Sequence, residues 1–310
     1  MSKGARVLFW IIVVALVCAP VVGAELLLRH AGLGHPILFY ANASYRYAAQ
    51  PNQHQVRQGG ARVTIDSKGL RAATDWTTPA DDKILFIGDS VTWGGTYIDD
   101  TDTFAAGVCP RLEKATGKRF VCGNAGANQY GTDNMAERIR YSDMHDETVL
   151  VVTLISGDAL RGLHDADGSF FFTAPPPGPF KAIWEAATFL SWRIYRAMRP
   201  IKAFRFDDNA RVVERSLENL FAAIRETQRP GRRVLIVHSP MEDELDGREA
   251  PLTVQVRAIL ARSGFDVLDL HAAVSAVHTP GFYYDGEHLA VRGHHFYADQ
   301  IAGRLLEKPE

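Results

Sequence analysis

The stretch KILFIGDSVTWGG, residues 83–95, runs an apolar strand pattern directly into a small polar turn. It sets the hydroxyl of Ser90 at the carboxyl end of a buried strand, where open parallel sheets hold their ligands. A serine hydroxyl is a weak nucleophile until a base takes its proton. The stretch DGEHLAVRGHHFYA, residues 285–298, contains a candidate base. Asp285 and His288 stand three apart on a loop before the last amphipathic pattern. In a tight Asp-x-x-His turn the carboxylate can hold the imidazole so that its other nitrogen faces the serine. A base placed in this way contributes about 10²–10⁴-fold through proton transfer. Taken singly, each residue has a simpler reading: Ser90 as a turn cap, His288 as a surface histidine, Asp285 as a turn residue.

Neighbouring motifs point elsewhere or nowhere. His294 and His295 read as the start of the last helix. A metal cluster of Asp285, His288, His294 and His295 would lack a recognised zinc-helix spacing. GANQYGT, residues 126–132, has P-loop glycine spacing, but no lysine follows Gly131 to meet a phosphate. No GxGxxG occurs, so dinucleotide binding is unsupported.

The elements that must carry Ser90 and His288 alternate after residue 82. Short β-branched runs appear at KILFIG, RFVCG, TVLVVTLI, RRVLIVHS and FDVLDL. Helical patterns lie at about 101–116, 132–144, 208–228, 249–263 and 291–307. Such alternation predicts a parallel sheet covered on both faces. Residues 160–206 break the rhythm with GSFFFTAPPPGPF and then an aromatic helix with a basic end, Arg193, Arg196, Arg199, Lys202 and Arg205. This insertion reads as a lid over a pocket or as an amphipathic element on a membrane face. The plainer reading packs Trp184, Phe189 and Trp192 on the core. Ahead of the alternating region, residues 31–82 read as a stalk and a preface. QVRQGGARVTID predicts a hairpin through Gly59-Gly60.

The 310 residues suffice for one large α/β domain plus additions. A net charge of −2 offers no basic field for nucleic acid. Lys3 and Arg6 precede an uncharged apolar run from Val7 to Ala24. That order predicts a cytoplasmic N-terminus with the remainder exported, residues 1–30 being a membrane anchor or signal segment. VGA before Glu25 could be a cleavage site, but ELLLRHAGLG continues the helical character, which favours an uncleaved anchor. Three cysteines are too few for a disulfide scaffold. After export Cys109 and Cys122 could pair, or they could be two small buried hydrophobes.

FIGDSVTWGG together with DGEHLAVRGHHFYA resembles the SGNH/GDSL hydrolase superfamily, over about residues 83–307. The preface PNQHQVRQGGARVTIDSKGLR is similar to that of membrane-anchored bacterial members. The resemblance implies a flavodoxin-like three-layer α/β/α sandwich, which matches the alternating pattern if the five runs form one five-stranded parallel sheet. It implies a hydrolase domain over 83–310, no metal or other cofactor, and ester hydrolysis or acyl transfer. Carried onto this chain, it makes Ser90 the nucleophile, His288 the base and Asp285 its orienting partner.

The resemblance also implies an oxyanion hole built from Ser90, Gln129 and Asp158, but at the last two the chain departs from the pattern. NAGANQYGT resembles the second block, with Gln129 where a glycine is usual. A backbone N–H survives that change if the φ/ψ permit, and Gly126 or Gly131 could serve instead after a small shift. LISGDALRG resembles the third block, with Asp158 in place of asparagine. An ionised carboxylate would repel an oxyanion, so Asp158 must be protonated, turned away or otherwise employed. The expected function is a membrane-anchored extracytoplasmic serine esterase acting on an O-acyl group, such as acetyl, of a carbohydrate. Two alternatives stand beside it. One is an O-acyltransferase accessory similar to proteins acting in alginate acetylation, and the other is a catalytically silent carbohydrate-binding protein.

Overall fold

The first helix, α1 (Lys3–His30), is long and apolar enough to cross a membrane, with a mean hydropathy of 2.8 over its most apolar window. Cys18 is exposed on it. The chain is described by a computed structural model over residues 2–198, 206–245, 247 and 250–307.

Two antiparallel hairpins follow α1. Strand β1 (Phe39–Asn42) pairs with β2 (Arg46–Ala49), and β3 (Gln53–Val56) pairs with β4 (Arg62–Ile65). The second hairpin turns through Gly59-Gly60, as its sequence predicts. Residues 31–82 hold more structure than a stalk would. Phe39, Tyr47, Val63, Ile65, Leu70 and Trp76 are buried in the same apolar cluster as Leu85 and Ile87 of the main sheet. Arg71 joins the sheet directly, exchanging backbone hydrogen bonds with Asn124.

That main sheet comprises β5 (Asp82–Gly88), β6 (Phe120–Asn124), β7 (Val149–Leu154), β8 (Arg233–His238) and β9 (Asp266–Asp269). All pairs are parallel, in the order β6-β5-β7-β8-β9. Counted from β5 this is 2-1-3-4-5, the flavodoxin-like order, with its switch point between β5 and β7. Side chains alternate along each strand, so Ile84 and Phe86 face one layer while Leu85 and Ile87 face the other.

The short α2 (Ser90–Trp93) follows β5. Helices α3 (Phe104–Thr116) and α4 (Thr132–Tyr141) come next, and then α5 (Asp158–Arg161) and α6 (Lys181–Met198). The chain continues through α7 (Phe206–Glu226), α8 (Pro251–Ala261), α9 (His271–Val277) and α10 (Val291–Leu306). Residues of α4, α7 and α8 bury against Leu85, Ile87, Val152 and Ile236. Residues of α3, α9 and α10 bury against Ile84, Phe86, Val151 and Leu235. The result is a three-layer α/β/α sandwich with helices on both faces of a five-stranded parallel sheet. Cys109 on α3 and Cys122 on β6 form a disulfide with a Cα separation of 5.9 Å.

The insertion is fastened to the first helix. The Glu25 carboxylate of α1 accepts hydrogen bonds from the backbone N–H groups of Ala182 (3.1 Å) and Ile183 (2.9 Å), at the start of α6. It also meets the Arg29 guanidinium at 2.7 Å, and Arg29 donates to the Pro179 carbonyl at 2.8 Å. The orphan donors of a helix start are thus satisfied by a side chain far away in sequence. Trp184 packs on Phe171, with ring centroids 5.7 Å apart. Arg199, Lys202 and Arg205 lie outside the described residues.

Candidate active site

Ser90 follows the carboxyl end of β5, the strand beside the topological switch point. Space requires Gly88 there: a Cβ would lie 2.0 Å from Thr92 Oγ1 and 2.5 Å from the Thr153 carbonyl oxygen. Asp89 caps α2, its Oδ1 accepting the Val91 N–H at 2.9 Å. Gly94, with φ 89°, ends this single helical turn in the left-handed region.

The preface holds the loop that follows. The buried Arg71 side chain donates to the carbonyls of Trp93 (2.8 Å), Gly95 (2.5 Å) and Ile98 (2.5 Å). Its Nε meets Asp100 at 3.0 Å. From β6, Asn124 Nδ2 donates to the Thr92 carbonyl at 2.6 Å. The polar turn after the first sheet strand is therefore pinned from two sides.

His288 reaches this turn from the loop before α10. Its Nε2 lies 2.8 Å from Ser90 Oγ. On the other side its Nδ1 lies 2.8 Å from Asp285 Oδ2 and 2.9 Å from Oδ1. The carboxylate can only accept, which puts the ring proton on Nδ1 and leaves Nε2 free to accept from the serine hydroxyl. Partial burial raises the Asp285 pKa, but hydrogen bonds from the His288 backbone N–H and imidazole outweigh it, so the carboxyl sits below the usual aspartate range.

Gln129 has φ 64°, one of few non-glycine residues in the left-handed region, which matches the glycine usual at its position. Its side chain is fixed on both ends, Oε1 to His164 Nε2 at 2.8 Å and Nε2 to Ser169 Oγ at 3.2 Å. The N–H of Gly126 donates to Asn124 Oδ1 and that of Gly131 to Asn134 Oδ1, so both alternatives are occupied. Among the described residues the backbone N–H groups of Ser90 and Gln129 have no acceptor.

Asp158 is fully buried and does not line the cavity that contains Ser90. Its Oδ2 accepts the Ile155 N–H at 3.0 Å, and its Oδ1 lies 2.7 Å from Arg161 Nη1. Burial first, and then the nearby Asp89 carboxylate, push its pKa well above the aspartate range against the opposing pull of Arg161. Of the options open to this residue, the geometry turns it inward and employs it on Arg161.

Arg161 is the site residue that sequence reasoning missed. Its guanidinium meets Asp158, Asp89 (3.3 Å) and Glu287 (3.3 Å), and donates to the Tyr130 carbonyl at 3.2 Å. Its one positive charge offsets the three carboxylates it meets. The only signal in the sequence was the i,i+3 pair in DALR, which is common on any helix.

These groups open into a cavity of about 550 Å³. Ser90, Gln129, Arg161 and His288 lie on its floor and sides, and Phe189, Trp192, Arg193 and Arg196 of α6 complete the wall. Phe189 and Trp192 of the insertion thus face the cavity, with Phe189 42% exposed. Arg196 stands over the Trp192 ring at 5.4 Å. His294 and His295 are directed elsewhere: His294 Nδ1 accepts the Phe104 N–H, and His295 Nε2 meets Asp102. Among the described residues no three histidine, cysteine or acidic side chains group as metal ligands.

No family model and no curated protein matches the sequence. Solved structures do resemble it. A lipase/acylhydrolase from Enterococcus faecalis is 18% identical, over 74% of this chain and 98% of that one, with a TM-score of 0.45. A variant of an acetyl xylan esterase from Geobacillus stearothermophilus is 14% identical, over 74% and 97%, with a TM-score of 0.46. A protein described as lipolytic and of the G-D-S-L family, from Desulfitobacterium hafniense, is 10% identical, over 72% and 99%, with a TM-score of 0.42.

Proposed function

We propose that the protein is a membrane-anchored serine esterase of the SGNH type that removes an O-acyl group from a carbohydrate outside the cytoplasm. One observation carries this reading: the unbroken relay from Ser90 Oγ through His288 to Asp285.

In this reading Ser90 Oγ attacks the ester carbonyl carbon as its proton passes to His288 Nε2. Asp285 keeps the ring oriented and stabilises the imidazolium. The carbonyl oxygen becomes an oxyanion and takes hydrogen bonds from the N–H groups of Ser90 and Gln129. Donors of this kind are worth about 10²–10³-fold each. The tetrahedral centre then collapses: the C–O bond to the alcohol breaks, and His288 returns its proton to that oxygen. Water attacks the acyl-enzyme by the same route, releasing the carboxylic acid and restoring the Ser90 hydroxyl. Arg161 balances Asp89, Asp158 and Glu287, which would otherwise oppose the developing negative charge.

The location rests on two supports. Basic residues precede an apolar helix long enough to span a bilayer, and a disulfide joins Cys109 to Cys122. The carbohydrate rests on a cavity wall that mixes aromatic faces, Tyr97 and Trp192, with polar side chains, Asn128, Arg193 and Arg196 among them. The test is release of acid from p-nitrophenyl acetate and from an O-acetylated oligosaccharide, by wild type and by Ser90→Ala. Mass analysis of the sugar products separates hydrolysis from transfer to a second sugar hydroxyl. Loss of turnover in Ser90→Ala is expected, and equal turnover by both proteins would overturn the reading.

A further inference from the structure

A second cavity, of about 470 Å³, adjoins the first. The two share Thr96, Asn128, Ser169 and Phe189 as lining, which makes them adjacent arms bordered by the same four residues. The chemistry of the arms differs. Ser90, Arg161 and His288 belong to the first alone. The second is walled chiefly by Leu33, Ile37, Phe39, Trp93, Phe170 and Ala186.

Apart from Trp93 of α2, these walls come from segments outside the alternating strands and helices of the sandwich. Leu33 and Ile37 lie between the end of α1 and β1, and Phe39 opens β1. Phe170 precedes the proline run, and Ala186 sits on α6. Three contacts hold them in place. The Phe39 N–H donates to the Phe171 carbonyl at 2.8 Å. The Phe39 ring packs on Phe170 and Trp93, with centroids 4.9 and 5.9 Å away. The charged groups of this arm neutralise each other, the Arg57 guanidinium meeting Glu185 at 2.5 Å and Glu185 also accepting the Gly34 N–H at 2.6 Å.

An arm for a sugar would present unpaired polar groups to hydroxyls. Apart from Gln58 and the bordering Thr96, Asn128 and Ser169, this one presents rings and aliphatic carbon, and its acidic residue is already engaged. An acetyl group would leave most of its volume unused, whereas an alkyl chain would fill it with apolar contact. Given the esterase reading above, on which this step rests, we propose that the second arm binds the alkyl tail of the acyl group. The preferred ester would then carry a medium-length chain rather than acetyl.

The experiment uses the full-length protein in lipid nanodiscs and soluble p-nitrophenyl esters from acetate to decanoate. Each methylene that enters the arm should raise kcat/KM by about three- to fourfold until the arm is full. Ala186→Trp, which places an indole in the arm, should abolish that rise and leave acetate hydrolysis within about twofold. Acetate turnover reports whether the variant is folded; if it is lost, the smaller Ala186→Leu replaces it and should shorten the preferred chain. A wild-type profile that is flat or highest at acetate would overturn the acyl arm while leaving the esterase intact. A chain-length preference unchanged by filling the arm would do the same. No turnover of any ester by wild type would remove the esterase reading and the arm with it.

Discussion

His288 Nε2 and Ser90 Oγ, separated by 198 positions in the chain, stand 2.8 Å apart in the folded protein. One residue closes the loop after the first sheet strand and the other precedes the last helix, so only the completed sandwich brings them together. His288→Ala and Ser90→Ala should each lower ester kcat/KM by about 10⁴-fold or more, and the double variant by scarcely more than either alone. Asp285→Asn should lose about 10³–10⁴-fold while KM changes little, because its amide no longer enforces the ring proton on Nδ1. Steady-state kinetics on an aryl ester checks all four. Full additivity of Ser90→Ala and His288→Ala would show that the two act separately.

Gln129→Gly tests whether a backbone donor is all that this position supplies. The substitution keeps the N–H and relieves a left-handed non-glycine conformation worth about 1 kcal/mol. It gives up the hydrogen bonds to His164 and Ser169. Hydrolysis should stay within about threefold of wild type, with stability nearly unchanged as the two effects offset. A loss of about 100-fold would assign the role to the side chain instead.

Acid sensitivity should trace in part to His294. Burial, with the positive charge of Arg71 adding to it, lowers the pKa of this imidazole to about 3. Its Nδ1 accepts the Phe104 N–H, and Nε2 has no partner among the described residues. The unfolded chain takes up the proton near pH 6.5, which the folded chain refuses until about pH 3. Stability from this residue is therefore complete above pH 6.5 and is lost as pH falls toward 3. Between pH 7.5 and 4.5 the loss should be about 2–3 kcal/mol. His294→Asn keeps an acceptor for Phe104, so it should be less stable than wild type at pH 7.5 yet lose less on acidification. Urea unfolding at both pH values measures the difference, and equal losses in the two proteins would contradict it.

The Glu25 contact should govern order in α6. Glu25→Ala removes the acceptor of two helix-start N–H groups and should cost that end about 1 kcal/mol. Hydrogen exchange over residues 181–190 should quicken by about fivefold at that cost, with the sheet strands unchanged. No change in α6 would show that the contact with α1 does not order it.

The disulfide closes a short loop between α3 and β6. Replacing both Cys109 and Cys122 by alanine should lower unfolding stability by about 2–3 kcal/mol. Alkylation before and after reduction, read by intact mass, should show only one reactive thiol, Cys18, before reduction. Three reactive thiols in the unreduced protein would remove this support for an extracytoplasmic location.

Much of this architecture was legible because it rests on periodicity. All five sheet strands lie within a residue or two of the β-branched runs, and α4, α7, α8 and α10 fall inside or close to their predicted ranges. Ser90 and His288 were legible because their flanking residues are specific. The β1–β2 hairpin was not, since FYANASYRYAA lacks a two-residue glycine turn and its burial depends on Phe170 and Tyr130 from distant segments. The direction of the Asp158 side chain was equally hidden, because it depends on Arg161, whose other partners lie at positions 89 and 287. Contacts of that kind exist only after the chain has folded.

The most direct measurement is labelling of the full-length protein with a fluorophosphonate, followed by intact mass and peptide mapping. We expect one adduct on Ser90 in wild type, none in Ser90→Ala, and labelling slowed by at least about 100-fold in His288→Ala. An adduct on another residue, or labelling of His288→Ala at the wild-type rate, would contradict a serine activated by that imidazole.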